Sequence, residues 1–183
     1  MKLYMVMIGC RPKGRYTEQH DIFFGIGNSL SELVPQMKVF WPEAKGKIHI
    51  DAWREVTVVD NHAIEIVSKK NAVANASQLF FINLGGYKEN EFEEYHYKIL
   101  ATGITLGEAT KKAKATSFYK HYGFKGATSH IDDKFGIDVD DVFNVADILA
   151  PELKEKFSLK ITKTNSVFED KLHIGYLKLE KIV

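Results

Sequence analysis

Cysteine is almost missing from this chain. Cys10 is alone among 183 residues, so no intrachain disulfide can form and a reducing, cytoplasmic setting is expected. An excess of one charge is missing too. Lys and Arg number 25 against 24 Asp and Glu, a net +1, so no global field recruits nucleic acid or an anionic membrane, and neither is expected as a partner. Long hydrophobic runs are absent: the apolar start, MKLYMVMIGC, is too short for a membrane span, and Arg11, Lys13 and Arg15 follow it. It has no small-residue cleavage site and reads as a buried strand rather than a signal peptide. No Walker loop, dinucleotide fingerprint, G-x-S-x-G or HExxH motif occurs. What is present is 45% hydrophobic and 12% aromatic residues, which excludes disorder and suffices for one ordinary domain or two small ones.

The chain repeats itself. A shift of 76 residues lays Leu3-Tyr4-Met5-Val6-Met7-Ile8-Gly9 on Leu79-Phe80-Phe81-Ile82-Asn83-Leu84-Gly85, and matches Glu18 to Glu94, His20 to His96 and Gly27 to Gly103. Five more residues of shift align His49-Ile50-Asp51 with His130-Ile131-Asp132. Collinear matches of this kind predict an internal duplication.

Each copy has the same coarse pattern. Residues 2–9 and 78–85 are continuous apolar runs suited to a strand buried on both faces. A second strand is expected near 18–26 and 94–102. Ser29-Leu30-Ser31-Glu32 and Thr105-Leu106-Gly107-Glu108 are both S/T-x-x-E capping boxes at helix starts. The second helix is expected over about 106–121; in the first, Pro35 requires either a kink or a regular part beginning at the proline. In the third strand Ile48, Ile50, Val56 and Val58 alternate with His49 and Asp51, and the copy repeats this with Ile131, Ile137 and Val139 against His130 and Asp132. Asp60-Asn61 reads as a turn into a short fourth strand. The predicted fold class is α+β: duplicated ββαβ-type units, 1–67 and 78–145, joined by a linker at 68–77. Residues 146–183 add a C-terminal helix, restarting at Pro151, and a closing pair of strands.

The stretches KLYMVMIGC, EQHDIFFGIGNSL and HIDAW, followed by QLFFINLGGY, EEYHYKIL and HIDD, resemble a bacterial family known as domain of unknown function 1543. That domain occurs in one or two copies per chain, so the resemblance implies two copies over roughly residues 1–145. It implies no particular chemistry.

The repeated polar residues do suggest some. Glu18, His20, His49 and Asp51 recur as Glu94, His96, His130 and Asp132. Glu-x-His and His-x-Asp each place two side chains on one face of a strand. Neighbouring strands then bring four N/O donors together, a set suited to zinc, manganese or iron. The leading reading is nevertheless a structural network of imidazole–carboxylate hydrogen bonds, with a metal site and acid–base chemistry as the alternatives. The acidic run DDKFGIDVDD, with Asp132, Asp133, Asp138, Asp140 and Asp141, fails the EF-hand pattern and reads as a solvated edge. Cys10 reads as a small buried thiol, and GIGNSL at 25–30 is only a weak phosphate-site hint.

One contrast separates the copies. The loop at 10–17 carries Arg11, Lys13 and Arg15, candidate binding residues, whereas its counterpart at 86–93 carries Lys88 against Glu89, Glu91 and Glu93. Opposite charges at equivalent places predict docking of one loop on the other and a homodimer. The expected function is thus a self-associating binding or scaffold module with an unspecified small-molecule ligand. The alternative is a small metal-assisted hydrolase using the Glu/His/His/Asp sets with a divalent metal.

Overall fold

An almost unbroken apolar run forms the centre of the first sheet, β1 (Lys2–Cys10). The computed structural model describes all residues except 124, 126, 132–141, 167 and 183. Its chain divides into two units, Met1–Val73 with Leu149–Val183, and Ala74–Ile148.

In the first unit β1 is paired antiparallel on one side with β2 (Gln19–Gly27). The connection from β2 to the helix forms half of the expected capping box. The Glu32 carboxylate accepts the Asn28 backbone N–H at 2.8 Å, but the Ser29 hydroxyl meets Ser31 instead of a backbone donor. A 3-10 turn over Ser31–Leu33 intervenes, and α1 (Val34–Phe40) begins with Pro35 in its first turn, where the missing N–H has no partner to lose. Tyr4, Val6, Ile8 and Cys10 point to this helix and pack with Phe23, Leu33, Met37 and Ile50. Leu3 and Met5, on the other face, are also buried, so both faces of β1 are covered.

On its other side β1 pairs with β3 (His49–Val56), and here the expected alternation breaks. Pairing runs from Leu3 opposite Val56 to Met7 opposite Ala52, then resumes with Ile8 opposite Ile50. Asp51 is the extra residue of a β-bulge. Directly opposed residues share a face. Val56 therefore lies on the side of Leu3 and Gly9, together with His49, while Ile48 and Ile50 join the helix-side core. β4 (Val58–Val59) and β5 (His62–Ser68) follow as a hairpin. Its turn residues Asp60 and Asn61 have φ 47° and 59°, the left-handed pair that twists a two-residue hairpin correctly.

The second unit is centred on β6 (Gln78–Tyr87), paired antiparallel with β7 (Glu94–Gly103). Both halves of the cap form here, the second one residue upstream of the usual box: Thr105 Oγ1 accepts the Glu108 N–H at 3.3 Å, and the Glu108 carboxylate accepts the N–H of Ile104 at 2.8 Å. The single helix expected over 106–121 is two, α2 (Leu106–Lys114) and α3 (Ser117–His121). Thr116 separates them. Its hydroxyl donates to the Ala113 carbonyl and accepts the Tyr119 N–H, ending one helix and capping the next. β8 (His130–Ile131) and β9 (Val142–Asn144) both pair with β6, and α4 (Val145–Ile148) follows. Ile137 and Val139 lie outside the described residues. Gly85 is opposite His96 and His130, just as Gly9 is opposite His20 and His49.

The C-terminal segment returns to the first unit through α5 (Pro151–Lys156), β10 (Phe157–Lys163) and β11 (His173–Lys178). The closing strands form, but each pairs elsewhere: β10 with β5 and β11 with β3. Each thereby covers a strand edge whose backbone groups would otherwise lack partners. The described residues form three antiparallel sheets with short helices, an α+β architecture. No helix among them is long and apolar enough to cross a membrane.

Candidate functional site

Gly9 sits between two histidines, opposite His20 on β2 and His49 on β3. Adjacent strands are about 4.8 Å apart, so the two histidine backbones stand roughly 9.6 Å from each other with the glycine between them. Their rings can lean together only because Gly9 has no side chain. A Cβ there would lie 2.6 Å from His49 Nε2, 2.6 Å from Asp51 Oδ2 and 3.1 Å from His20 Cδ2. Glu18 immediately precedes β2, two residues from His20 and on the same side. The bulge turns Asp51 to that side too.

The four side chains meet. His49 Nε2 is 3.1 Å from Glu18 Oε1 and 3.2 Å from Asp51 Oδ2; His20 Nε2 is 3.2 Å from the same Asp51 oxygen and 3.9 Å from Glu18 Oε2. Exposure rises outward across the set. The His49 side chain is 9% exposed and Asp51 21%, against 38% for His20 and 46% for Glu18, so the cluster has a buried floor and an open rim. His49 Nε2 and Asp51 Oδ2 are fully enclosed, yet neither makes an aligned hydrogen bond. Enclosed polar atoms in contact but unsatisfied are costly, and they need a partner of another kind. Among the described residues no group of three or more His, Cys, Asp or Glu is placed so that it could hold a metal ion, this cluster included. In this cluster the donors touch one another. Tetrahedral coordination at 2.0–2.1 Å sets donors about 3.3 Å apart, so an ion would have to spread three of these contacts by about 0.1–0.2 Å and draw His20 and Glu18 together by about 0.6 Å.

A fifth residue, Tyr176, was not signalled by the polar pattern. Its ring lies 4.4 Å from that of His49, tilted by 35°. The pairing of β11 with β3 slips between Ile174 and Leu177, opposite the Asp51 bulge, and Gly175 there has φ 136°, a conformation other residues adopt only with strain. A glycine inside a strand is the one sequence sign of such a bulge. On the opposite face of β3, His173 stacks on Trp53 at 3.9 Å and 3°, pinning β11 next to the site.

The other candidates fall out differently. Cys10 is buried, and burial, with the Glu18 charge adding to it, pushes its thiol up. That suits an inert core thiol. The glycines of GIGNSL are explained by packing, since a Cβ at Gly25 or Gly27 would press on Leu33 at 3.0 Å. In the second unit Glu94 accepts the Tyr87 hydroxyl at 2.5 Å, and His96 and the His130 backbone lie opposite Gly85. Asp132 and the rest of the acidic run at 132–141 lie outside the described residues. Arg11, Lys13 and Arg15 are exposed. In the loop at 86–93, Lys88 is 3.9 Å from Glu91 and lies over the Tyr95 and Tyr122 rings. Glu91 also accepts the Tyr95 hydroxyl, which helps push that phenol up to about 12.

The cluster falls within a stretch of the chain that matches a family model. The family termed Domain of Unknown Function (DUF1543) matches residues 15–66, a stretch that contains Glu18, His20, His49 and Asp51. The match covers one copy, where the resemblance had implied two. A crystal structure of a protein Il1583 from Idiomarina loihiensis aligns with 98% of this chain and 98% of its own, with a TM-score of 0.60 and 20% identity. At that identity the likeness shows a shared fold alone. No curated protein matches the chain.

Proposed function

We propose that the first unit is a metal-binding module, holding one divalent transition-metal ion through Glu18, His20, His49 and Asp51. The observation that carries this is the pair of enclosed, unaligned atoms, His49 Nε2 and Asp51 Oδ2, at the floor of a four-donor cluster. A hydrogen-bonded network would align a donor on each acceptor. A cation instead accepts lone pairs from all four at once. Gly9 supports the same account, since its missing side chain leaves room for nothing but the converging donors. Imidazole nitrogens with carboxylate oxygens suit zinc, manganese or iron better than calcium or magnesium. The adjustment of the donors that coordinate geometry demands is small enough for side-chain rotation to supply.

Metal-assisted hydrolysis follows as a second use of the same site, favoured by the exposed rim at Glu18 and His20. Four protein ligands fill a tetrahedral ion but leave two positions on an octahedral one. A hydrolytic water therefore requires manganese or iron, or the release of Glu18, the most exposed donor.

Cobalt(II) titration tests the proposal, because its visible absorption reports nitrogen and oxygen coordination directly. The wild-type protein, without a His-tag, should bind one equivalent and develop the absorption. His49→Ala and Asp51→Asn should lose it while keeping the native circular dichroism. Absorption unchanged in both variants, or absent from the wild type, would refute the site.

A further inference from the structure

The loop after β6 sets one cation against two aromatic faces. Residues 88–91 make a tight turn: the Glu91 N–H donates to the Lys88 carbonyl at 3.3 Å, and Asn90 adopts a left-handed φ of 65°, which asparagine tolerates. Glu91 then acts as a bridge. Its Oε2 accepts the Tyr95 hydroxyl, and its Oε1 lies 3.9 Å from Lys88 Nζ. Tyr122 arrives from the end of α3, where its carbonyl accepts the Tyr87 N–H at 3.3 Å. Glycine at position 86 permits this approach, since a Cβ there would lie 2.5 Å from the Tyr122 carbonyl oxygen and 2.8 Å from its Cβ. The Tyr95 and Tyr122 rings meet edge to face, 5.4 Å apart at 76°, and Phe118 stacks on Tyr122 at 4.4 Å. In the corner between them the Lys88 ammonium stands 4.6 Å and 5.0 Å from the two ring centroids.

Ring faces, not hydrogen bonds, hold this ammonium. The Glu91 oxygen at 3.9 Å is too distant for one, and no other acceptor among the described residues takes a Lys88 proton. The side chain is 40% exposed, so it can withdraw. A primary ammonium is a poor match for such a place, because its three N–H groups are strongly hydrated and want acceptors. A quaternary ammonium has no N–H to satisfy and is drawn to the negative faces of aromatic rings. Where the second copy has Lys88, Glu91 and Tyr95, the first has Pro12, Arg15 and Gln19, so the corner is not part of what the copies share.

We propose that Tyr95, Tyr122 and Glu91 form a binding site for a quaternary ammonium group, with Lys88 as a tethered occupant that the ligand displaces. The site stands apart from the metal proposal and shares no residue with it. Both rings are fixed before a ligand arrives, Tyr95 by its bond to Glu91 and Tyr122 by its backbone bond to Tyr87, so little ordering is lost on binding. Lys88 Nζ marks where the ligand's nitrogen sits, and Glu91 supplies the opposite charge.

The test titrates the full-length chain with tetramethylammonium and follows the methyl proton resonance, which ring currents move upfield on an aromatic face. Lys88→Ala should show saturable binding with an upfield shift, and tert-butanol, similar in shape but uncharged, should bind at least about tenfold more weakly. The wild type should bind tetramethylammonium roughly threefold more weakly than Lys88→Ala, because a short tether presents the lysine at a millimolar effective concentration. Adding Tyr95→Leu or Tyr122→Leu to Lys88→Ala should cost about tenfold with native circular dichroism, whereas Tyr95→Phe, which keeps the ring, should cost less than about threefold. Choline and a trimethyllysine peptide, run alongside, separate a free headgroup from one borne by a protein; binding of either supports the site, and binding of neither overturns it. Absence of the upfield shift, tert-butanol binding as tightly as tetramethylammonium, leucine variants of unchanged affinity, or equal binding by wild type and Lys88→Ala would each overturn the proposal.

Discussion

Gly9 decides more of the site than any charged residue does. Alanine there would intrude on His49, Asp51 and His20 together, and none can withdraw without leaving the cluster. Gly9→Ala is expected to weaken metal affinity about 10–100-fold, the size typical of altered support around a metal, with the fold retained. Competition against a chromophoric chelator measures it. Cys10, one residue away, points to the core, and its thiol is held up by burial. It should react with a thiol reagent at pH 8 far more slowly in the native protein than in denaturant; equal rates would contradict its placement. At this scale the sequence was informative because Glu-x-His and His-x-Asp point to one strand face by period, even though Asp51 stands in a bulge. It was silent on Gly9, whose role depends on register with two strands distant in the chain, and on Tyr176, which arrives from the far end.

At the scale of elements, local hydrogen bonding made some segments readable and tertiary pairing obscured others. Asp60-Asn61 carried its turn in its composition, and it forms as expected. The two S/T-x-x-E boxes look alike in sequence, yet only Thr105 caps a backbone N–H. Thr105→Ala should therefore cost about 1 kcal/mol in denaturant unfolding, and Ser29→Ala much less. Equal costs would show that both boxes form. The break at Thr116 was hidden because alanine and lysine on either side favour a continuous helix, whereas a single hydroxyl closes one segment and opens the next. The bulge at Asp51 was hidden for a related reason. Strict alternation describes a flat strand, and the extra residue appears only once β3 is laid against β1. The strand pair expected at the C-terminus was likewise visible as two strands, but their partners were fixed by open edges elsewhere in the chain.

For the molecule as a whole, the two units share the order of their first three strands and the register of their glycines and histidines, while the family model matches a single stretch, residues 15–66. Their local contacts differ. With Glu94 held by Tyr87, one metal ion per chain is expected rather than two. Self-association is a further proposal at this scale, with the basic loop at 10–17 meeting the acidic loop at 86–93 of a second copy. Such a dimer should weaken with salt, since exposed contacts are screened over about 10 Å at 0.1 M ionic strength. Sedimentation velocity follows this, and a monomer under every condition would refute it. The metal proposed for the Glu18, His20, His49 and Asp51 cluster is tested most directly by anomalous diffraction from crystals of the untagged protein grown with zinc. One peak is predicted about 2.0–2.2 Å from His20 Nε2, His49 Nε2 and the carboxylates of Glu18 and Asp51. No peak there at saturating zinc, with the four side chains joined by aligned hydrogen bonds, would contradict the account.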